Sequence, residues 1–307
     1  MHAERRAYLG PYGSGPAAVL GSEGHLGFLQ QVLKNSYNTP PKAPSGLMQD
    51  GAFSVKNVIC SLHRPNGICS FLNLAQLRNW VSMLSKKSLV VFDLDGTLFN
   101  TLGDLAVAVN YALRHFGLPE HSEEQVRSFI GNGSMKLIER SMGEAALSEN
   151  IARTGVTVEK VHKVYSDFYW EHCTERTRPV PGIVEFLNRS KVRVALLTNK
   201  PLRPTEKILE HFGLRNRFEF VLCGDTAPER KPSPAGLQKI IEMAHVSRED
   251  TVMVGDDQPD ILAARDAGTD CVTLLCGFGK PVNLLSLEPD NVVLSYAELC
   301  QLLRRIV

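Results

Sequence analysis

Two aspartates stand two residues apart directly after a short apolar run: Leu89-Val90-Val91-Phe92 leads into Asp93-Leu94-Asp95-Gly96-Thr97. In extended backbone the side chains at i and i+2 leave the same side. Asp93 and Asp95 therefore concentrate negative charge at one point. Carboxylates held together repel one another, and a divalent cation bound through oxygen relieves the repulsion. The chemistry open to the pair is metal binding, nucleophilic attack by one carboxylate and proton transfer by the other. Gly96 lets the chain turn sharply beyond them. A lone pair of this kind commonly binds nothing, so the ends of the other apolar runs decide its meaning.

Those ends carry matching chemistry. Thr198-Asn199 follows the apolar run 192–197, Lys231-Pro232 comes after the run 218–223, and Gly255-Asp256-Asp257-Gln258-Pro259-Asp260 follows 251–254. A hydroxyl and an amide donor, a lysine and further acids are what phosphoryl transfer needs around its nucleophile.

The elements that must position these residues are legible as alternating patterns. Leu89–Phe92 is a short apolar run of β-branched and aromatic residues, the form of a strand buried on both faces, and the runs 192–197, 218–223, 251–254 and 271–275 are likewise short and apolar. Helical periodicity falls between and after them, at 182–190, 204–212, 235–244, 261–267 and 296–305. Alternation of this kind predicts an α/β fold, a doubly wound, Rossmann-like parallel sheet with right-handed crossovers. Between 100 and 178 no strand-like run occurs, while Leu105, Ala108, Val109, Ala112 and Phe116 share one helical face and Val158, Val161, Tyr165 and Phe168 another. Ser122 with Gln125 has the form of a capping box. Residues 101–178 are therefore expected to form an all-helical cap over the carboxyl ends of the strands, where open parallel sheets bind ligands. The core is expected to comprise 86–100 and 179–307. Residues 1–82 are expected to be an irregular extension, rich in Gly, Pro, Ser and Asn over its first fifty residues, with one helix near 70–85 that packs before the first strand. Met83, just ahead of Lys86-Lys87, is where a compact enzyme of this kind could begin, and a native start there is an expectation of the sequence.

Composition narrows the partners. Of 307 residues, 34 are Lys or Arg and 33 Asp or Glu, a net charge of +1 that supplies no electrostatic reason to bind nucleic acid or anionic lipid. No apolar run is long enough to cross a bilayer, and a small-molecule substrate is expected. The seven cysteines are scattered without a C-x-x-C pair, which argues against a disulfide framework and for a reducing cytoplasm. Cys60, His63 and Cys69 match no zinc spacing and lack a fourth ligand.

The four strand-end motifs, in their order and settings, resemble those of the haloacid dehalogenase-like phosphatases over roughly residues 89–307. The resemblance implies that Asp93 attacks phosphorus to form an aspartyl phosphate and that Asp95 protonates the leaving oxygen and then activates water. Asp95 would need a raised pKa for that work, and Asp93 beside it is a source of like charge. Thr198 and Asn199 would donate to the phosphoryl group and Lys231 would neutralise it. Mg²⁺ would be held by Asp93, the backbone carbonyl of Asp95 and Asp256. Asp260 would bind the ion through water, hold Lys231 or cap a helix. Asp257 stands where this family often has Ser or Thr, and would alter the metal's affinity or face solvent. Gly131-Asn132-Gly133, Thr198-Asn199-Lys200-Pro201, Lys231-Pro232-Ser233-Pro234 and Gly277-Phe278-Gly279 resemble the phosphoglycolate phosphatase branch, so the expected substrate is 2-phosphoglycolate, acted on by a monomer or homodimer. Arg127, Lys136 and Arg140 are candidate cations for its carboxylate, as are backbone N–H groups near Asn132. A sugar-phosphate mutase or phosphatase would share Asp93 and Asp95. A phosphonate-cleaving relative would need a cap lysine such as Lys136, Lys160 or Lys163. A silent phosphate-binding module would need a broken motif, and none is broken.

Overall fold

The computed structural model describes residues 84–143 and 155–307. The expectations for the amino-terminal extension, its helix, Met83 and the Cys60, His63, Cys69 group lie outside the described residues, apart from Leu84 and Ser85, which are not helical.

Strand β1 (Leu89–Phe92) is followed by the two-residue β2 (Phe99–Asn100). Among the described residues four helices come next: α1 (Leu102–His115), α2 (Glu123–Arg127), α3 (Ser134–Met142) and α4 (Val158–His172). Strand β3 (Arg178–Pro179) pairs antiparallel with β2, Phe99 opposite Pro179 and Asn100 opposite Arg178. This ribbon ties together the entry and exit of the helical segment. It was not anticipated, because two-residue strands carry no periodicity. The predicted capping box holds: Ser122 accepts from the Gln125 N–H, and Gln125 reaches back to the Ser122 N–H at 2.8 Å.

The chain then alternates: α5 (Ile183–Arg189), β4 (Arg193–Leu197), α6 (Leu202–His211), β5 (Phe220–Leu222), α7 (Ala235–Ala244), β6 (Thr251–Gly255), α8 (Gln258–Ala267), β7 (Asp270–Leu274), α9 (Pro281–Ser286), β8 (Asn291–Val293) and α10 (Tyr296–Ile306). Helix α9 and strand β8 are additions to the sequence reading, and α8 begins three residues earlier than its apolar pattern because Gln258, Pro259 and Asp260 make a polar first turn. Six strands form one parallel sheet in the order β5-β4-β1-β6-β7-β8.

All four residues of β1 are buried. Val90 and Phe92 pack into one apolar cluster and Leu89 and Val91 into another. Strands β4 and β6 divide in the same way, Val194, Leu196, Val252 and Val254 to the first cluster, Ala195, Leu197 and Met253 to the second. The two-residue period thus sends alternate side chains to the two covered faces of the sheet. The pairing register aligns Phe92 with Leu196 on one side and Val254 on the other. The carboxyl ends of β1, β4 and β6 therefore lie side by side, and the next residue of each chain segment starts the site.

Candidate active site

Asp93 leaves β1 with its N–H still donating to the Val254 carbonyl at 2.9 Å, so its backbone is held by the sheet. The chain then folds on itself: the N–H groups of Leu98 and Phe99 both donate to the Leu94 carbonyl at 3.0 Å, and Gly96 takes φ +82. A β-carbon on Gly96 would come 2.2 Å from Asp256 Oδ2, so glycine is required there by conformation and by space. The tight turn draws Thr97 against the end of β6, where its hydroxyl donates to Asp256 Oδ1 at 2.6 Å. The Phe278 N–H donates to the other Asp256 oxygen at 2.7 Å.

Lys231 brings the next charge. Its ammonium lies 2.9 Å from Asp93 Oδ1 and 2.6 Å from Asp260 Oδ1, all in a buried setting. Burial pulls the lysine pKa down, but Asp260 and then Asp93 more than offset this and the net direction is up. The second oxygen of Asp260 accepts from the N–H groups of Asp256 (3.1 Å) and Asp257 (3.0 Å). Asp260 thus fills two of its anticipated roles, holding Lys231 and capping α8. Asp257 is half-buried: it is the amino-terminal cap of α8, accepting from Gln258 at 2.8 Å, and it faces Gly131.

Oxygens of Asp93, Asp256 and Asp260 lie within 4.8 Å of one another. Asp260 is spent on Lys231 and two N–H groups, which leaves Asp93 and Asp256. Burial raises Asp93 to about 6, against the pull of Lys231 and with the help of Asp260. It lifts Asp256 well above the usual carboxylate range, and Asp93 adds to this. Two buried carboxylates that lack a full complement of positive charge fit a divalent cation bound through oxygen, which would hold both ionised.

Asp95 was expected to sit under like-charge pressure. Like charge is present, since Asp95 helps to raise Asp93, and the Asp95 carboxylate also accepts from the Lys200 ammonium at 2.9 and 3.3 Å and from the Thr101 hydroxyl at 2.6 Å. Lys200 in turn donates to the Tyr169 hydroxyl of α4 at 2.7 Å. Burial works against its charge, but Asp95 and Tyr165 outweigh that and its pKa is raised.

Thr198 is buried and lines the cavity, its N–H donates to the Leu222 carbonyl at 3.0 Å, and its hydroxyl accepts from the Lys200 N–H at 3.3 Å. Asn199 differs from expectation: both amide hydrogens are committed, to the carbonyls of Gly131 (3.0 Å) and Lys231 (2.8 Å). Its role is to fasten the Gly131-Asn132-Gly133 loop to the core, leaving no amide donor for a phosphoryl oxygen. That loop lies on the core closely enough that a β-carbon on Gly131, at φ +114, would meet Asp257 Oδ2 at 1.9 Å.

A cavity of about 370 Å³ opens between the helical segment and the strand ends, with Asp93, Asp95, Thr198, Lys200 and Lys231 among its lining. Gly131, Gly133 and Ser134 reach it; Asn132 does not, its side chain accepting instead from Arg140 at 2.6 Å. The three cations proposed for a carboxylate lie elsewhere. Arg127 donates to the Gly277 carbonyl, Lys136 pairs with Glu139, and Arg140 is held by Asn132 and the Phe129 carbonyl. Lys160 and Lys163 are likewise absent from the lining. Among the described residues the cavity's cations are Lys200, Arg203, Arg230 and Lys231. Lys200 stood within a recognised motif without a role assigned, and Tyr169 would have emerged from extending the Tyr165 face of α4 by one turn. The cavity residue His162, with its Nε2 2.9 Å from Ser134 Oγ, had no signal of its own.

A sequence profile described as haloacid dehalogenase-like hydrolase matches residues 90–274. The chain belongs to the haloacid dehalogenase-like hydrolases. Among relatives of this hydrolase, a phosphoglycolate phosphatase from Vibrio parahaemolyticus is 36% identical over 221 residues, 69% of this chain and 94% of the relative. Phosphoglycolate phosphatase 1 from Pseudomonas aeruginosa is 38% identical over 201 residues, 63% of this chain and 72% of the relative. The crystal structure of a predicted phosphoglycolate phosphatase from Haemophilus somnus superposes with a TM-score of 0.64 at 30% identity, covering 71% of this chain and 98% of that one. The site of this hydrolase therefore sits at the sheet edge that the family's profile spans, with Asp93 through Asp256 inside the matched residues.

Proposed function

We propose that this hydrolase is a magnesium-dependent phosphatase that converts 2-phosphoglycolate to glycolate and phosphate, with residues 101–178 acting as the cap. The carrying observation is the placement of Asp93: a buried carboxylate at the end of β1, 2.9 Å from the Lys231 ammonium, on the wall of a cavity that Asp95 shares. Nearby phosphoglycolate phosphatases at 36% and 38% identity support the substrate.

In this reading an Asp93 oxygen attacks phosphorus, the ester P–O bond breaks, and the departing oxygen takes its proton from Asp95. Water then attacks the aspartyl phosphate at phosphorus, giving its proton to Asp95, and phosphate leaves with Asp93 restored. Lys231 and the Thr198 hydroxyl hold the transferred oxygens. Asp93, the Asp95 carbonyl and Asp256 would hold Mg²⁺, which would supply positive charge to neutralise the phosphoryl group. The cap excludes water and orients the leaving group. Free thiols at Cys173, Cys223, Cys271, Cys276 and Cys300 support a reducing compartment, and we place the enzyme in the cytoplasm as a monomer or homodimer.

The test compares kcat/KM for phosphoglycolate, sugar phosphates, nucleoside monophosphates and pyridoxal phosphate in the presence of Mg²⁺. Phosphoglycolate is expected to lead. A tenfold preference for any larger ester, about 1.4 kcal/mol in transition-state binding, would overturn the substrate while leaving a phosphatase.

A further inference from the structure

The leaving group of a two-carbon acid phosphate carries its negative charge close to the bond that breaks. One methylene separates the ester oxygen from the carboxylate carbon, so the carboxylate oxygens lie within about 3 to 4 Å of that ester oxygen. The proton donor must come within about 3 Å of the same ester oxygen. A cation able to hold the carboxylate must therefore touch the proton donor's surroundings.

Among the described residues lining the cavity, one cation meets this condition. Lys231 is enclosed by Asp93 and Asp260. Neither Arg203, stacked over the Trp170 ring at 3.9 Å, nor Arg230, whose Nε donates to the Gly224 carbonyl at 2.7 Å, forms an ion pair with Asp95 as Lys200 does. The Lys200 ammonium lies 2.9 Å from Asp95 Oδ1 and 2.7 Å from Tyr169 Oη. An ammonium has three N–H donors. Tyr169 and Asp95 Oδ1 take two, at 2.7 and 2.9 Å, and the third makes only the longer 3.3 Å contact to Asp95 Oδ2, which a ligand carboxylate can replace.

We propose that Lys200 is the specificity residue that binds the carboxylate of the leaving group, with Tyr169 of α4 holding the ammonium in place. This rests on the phosphatase reading above and assigns the selection to a residue of the core rather than to the cap cations named from the sequence. The surroundings strengthen such a pair. Tyr165 and Tyr169 stack with centroids 5.5 Å apart, the Lys200 ammonium lies 4.6 Å from the Tyr169 ring centre, and both tyrosines are buried. An ion pair on an apolar aromatic wall is screened less than one in water. The arrangement also explains exclusion. A sugar phosphate or nucleotide places a neutral carbon at the same point, so Lys200 would lose hydration without gaining an anion.

The experiment measures kcat/KM for phosphoglycolate and for 2-hydroxyethyl phosphate, which has an alcohol where the acid was, with Mg²⁺ and the full chain. The wild type is expected to prefer the acid by about 100-fold or more. Lys200→Gln should cut that ratio at least about 30-fold, mostly through KM, and Lys200→Arg should restore much of it. Both esters share the phosphoryl group and Asp95, so a purely structural defect lowers both rates together and leaves the ratio standing, which would overturn the proposal. Tyr169→Phe removes one hydroxyl without opening the core, and the ratio should still fall about threefold or more; no change there counts against the anchor even if Lys200→Gln fails to fold. Preference for the acid that persists in every variant refutes the role of Lys200 and leaves the substrate reading in place. No preference in the wild type refutes the substrate reading itself.

Discussion

The ammonium of Lys231 stands 2.6 Å from Oδ1 of Asp260, and both side chains are buried. The pair joins the loop after β5 to the first turn of α8 and aims Lys231 at Asp93. Asp260 also accepts two backbone N–H groups. Asp260→Ala should therefore leave a buried cation and two donors short of partners, costing about 3 to 5 kcal/mol in urea unfolding. Asp260→Asn keeps an acceptor and should cost less, while kcat falls by about 10-fold or more because Lys231 loses its bearing. Stability within about 0.5 kcal/mol of wild type for the alanine variant would show that Lys231 finds another partner.

Asp93→Asn should abolish turnover. The amide oxygen is a poor nucleophile, and no second carboxylate holds the same position at the end of β1. A rate above about 1% of wild type, with deamidation excluded by intact mass, would remove Asp93 from the covalent role. Asp95→Asn should slow both chemical steps, since neither the leaving oxygen nor the attacking water then has its proton carrier.

Metal dependence should appear in stability as well as rate. The folded pKa of Asp93 is about 6 against an ordinary 3.8, so in the absence of metal this group favours the fold fully below about pH 3.8 and that contribution is lost as pH rises through about 6. Asp256 is shifted in the same direction. On the proposed function Mg²⁺ would bind the ionised pair, and its addition should offset the loss. The rise in Tm on adding Mg²⁺ to chelated protein is expected to reach about 5 °C near pH 7.5 and to be much smaller near pH 5. An equal rise at both would place the ion elsewhere.

The Gly131 loop offers a test of how the helical segment docks on the strand ends. Gly131 approaches Asp257 too closely for a β-carbon and takes φ +114. Gly131→Ala should displace the loop, break the Asn199 to Gly131 hydrogen bond and lower kcat/KM by about 10-fold or more. Asn199→Leu should act in the same direction by removing both amide donors. Saturation kinetics with phosphoglycolate and with a small aryl phosphate would show whether the loss is confined to substrates that the cap encloses.

Much of this was legible in local pattern. Apolar runs of four to six residues separated by helical periodicity specify buried parallel strands, because alternate side chains must enter two cores, as Leu89 with Val91 and Val90 with Phe92 do. Residues at the carboxyl ends of adjacent strands must then meet, so Asp93, Thr198, Lys231 and Asp256 could be gathered before any contact was known. The short ribbon of Phe99–Asn100 and Arg178–Pro179 escaped notice because two residues carry no period.

By itself, then, the sequence determined the sheet, the helical insertion, the acid and cation types at the strand ends and the family they resemble, since each depends on residue type and short-range spacing. Tertiary structure alone decided which side chain answers which. Asp95 and Lys200 are 105 residues apart and meet at 2.9 Å, Asn199 turns its amide to backbone carbonyls, Asp257 caps α8, and Arg127, Lys136 and Arg140 turn away from the cavity. The physical reason is that hydrogen-bond partnership is set by side-chain direction and distance within about 3 Å, and neither is encoded in the spacing of residues along the chain.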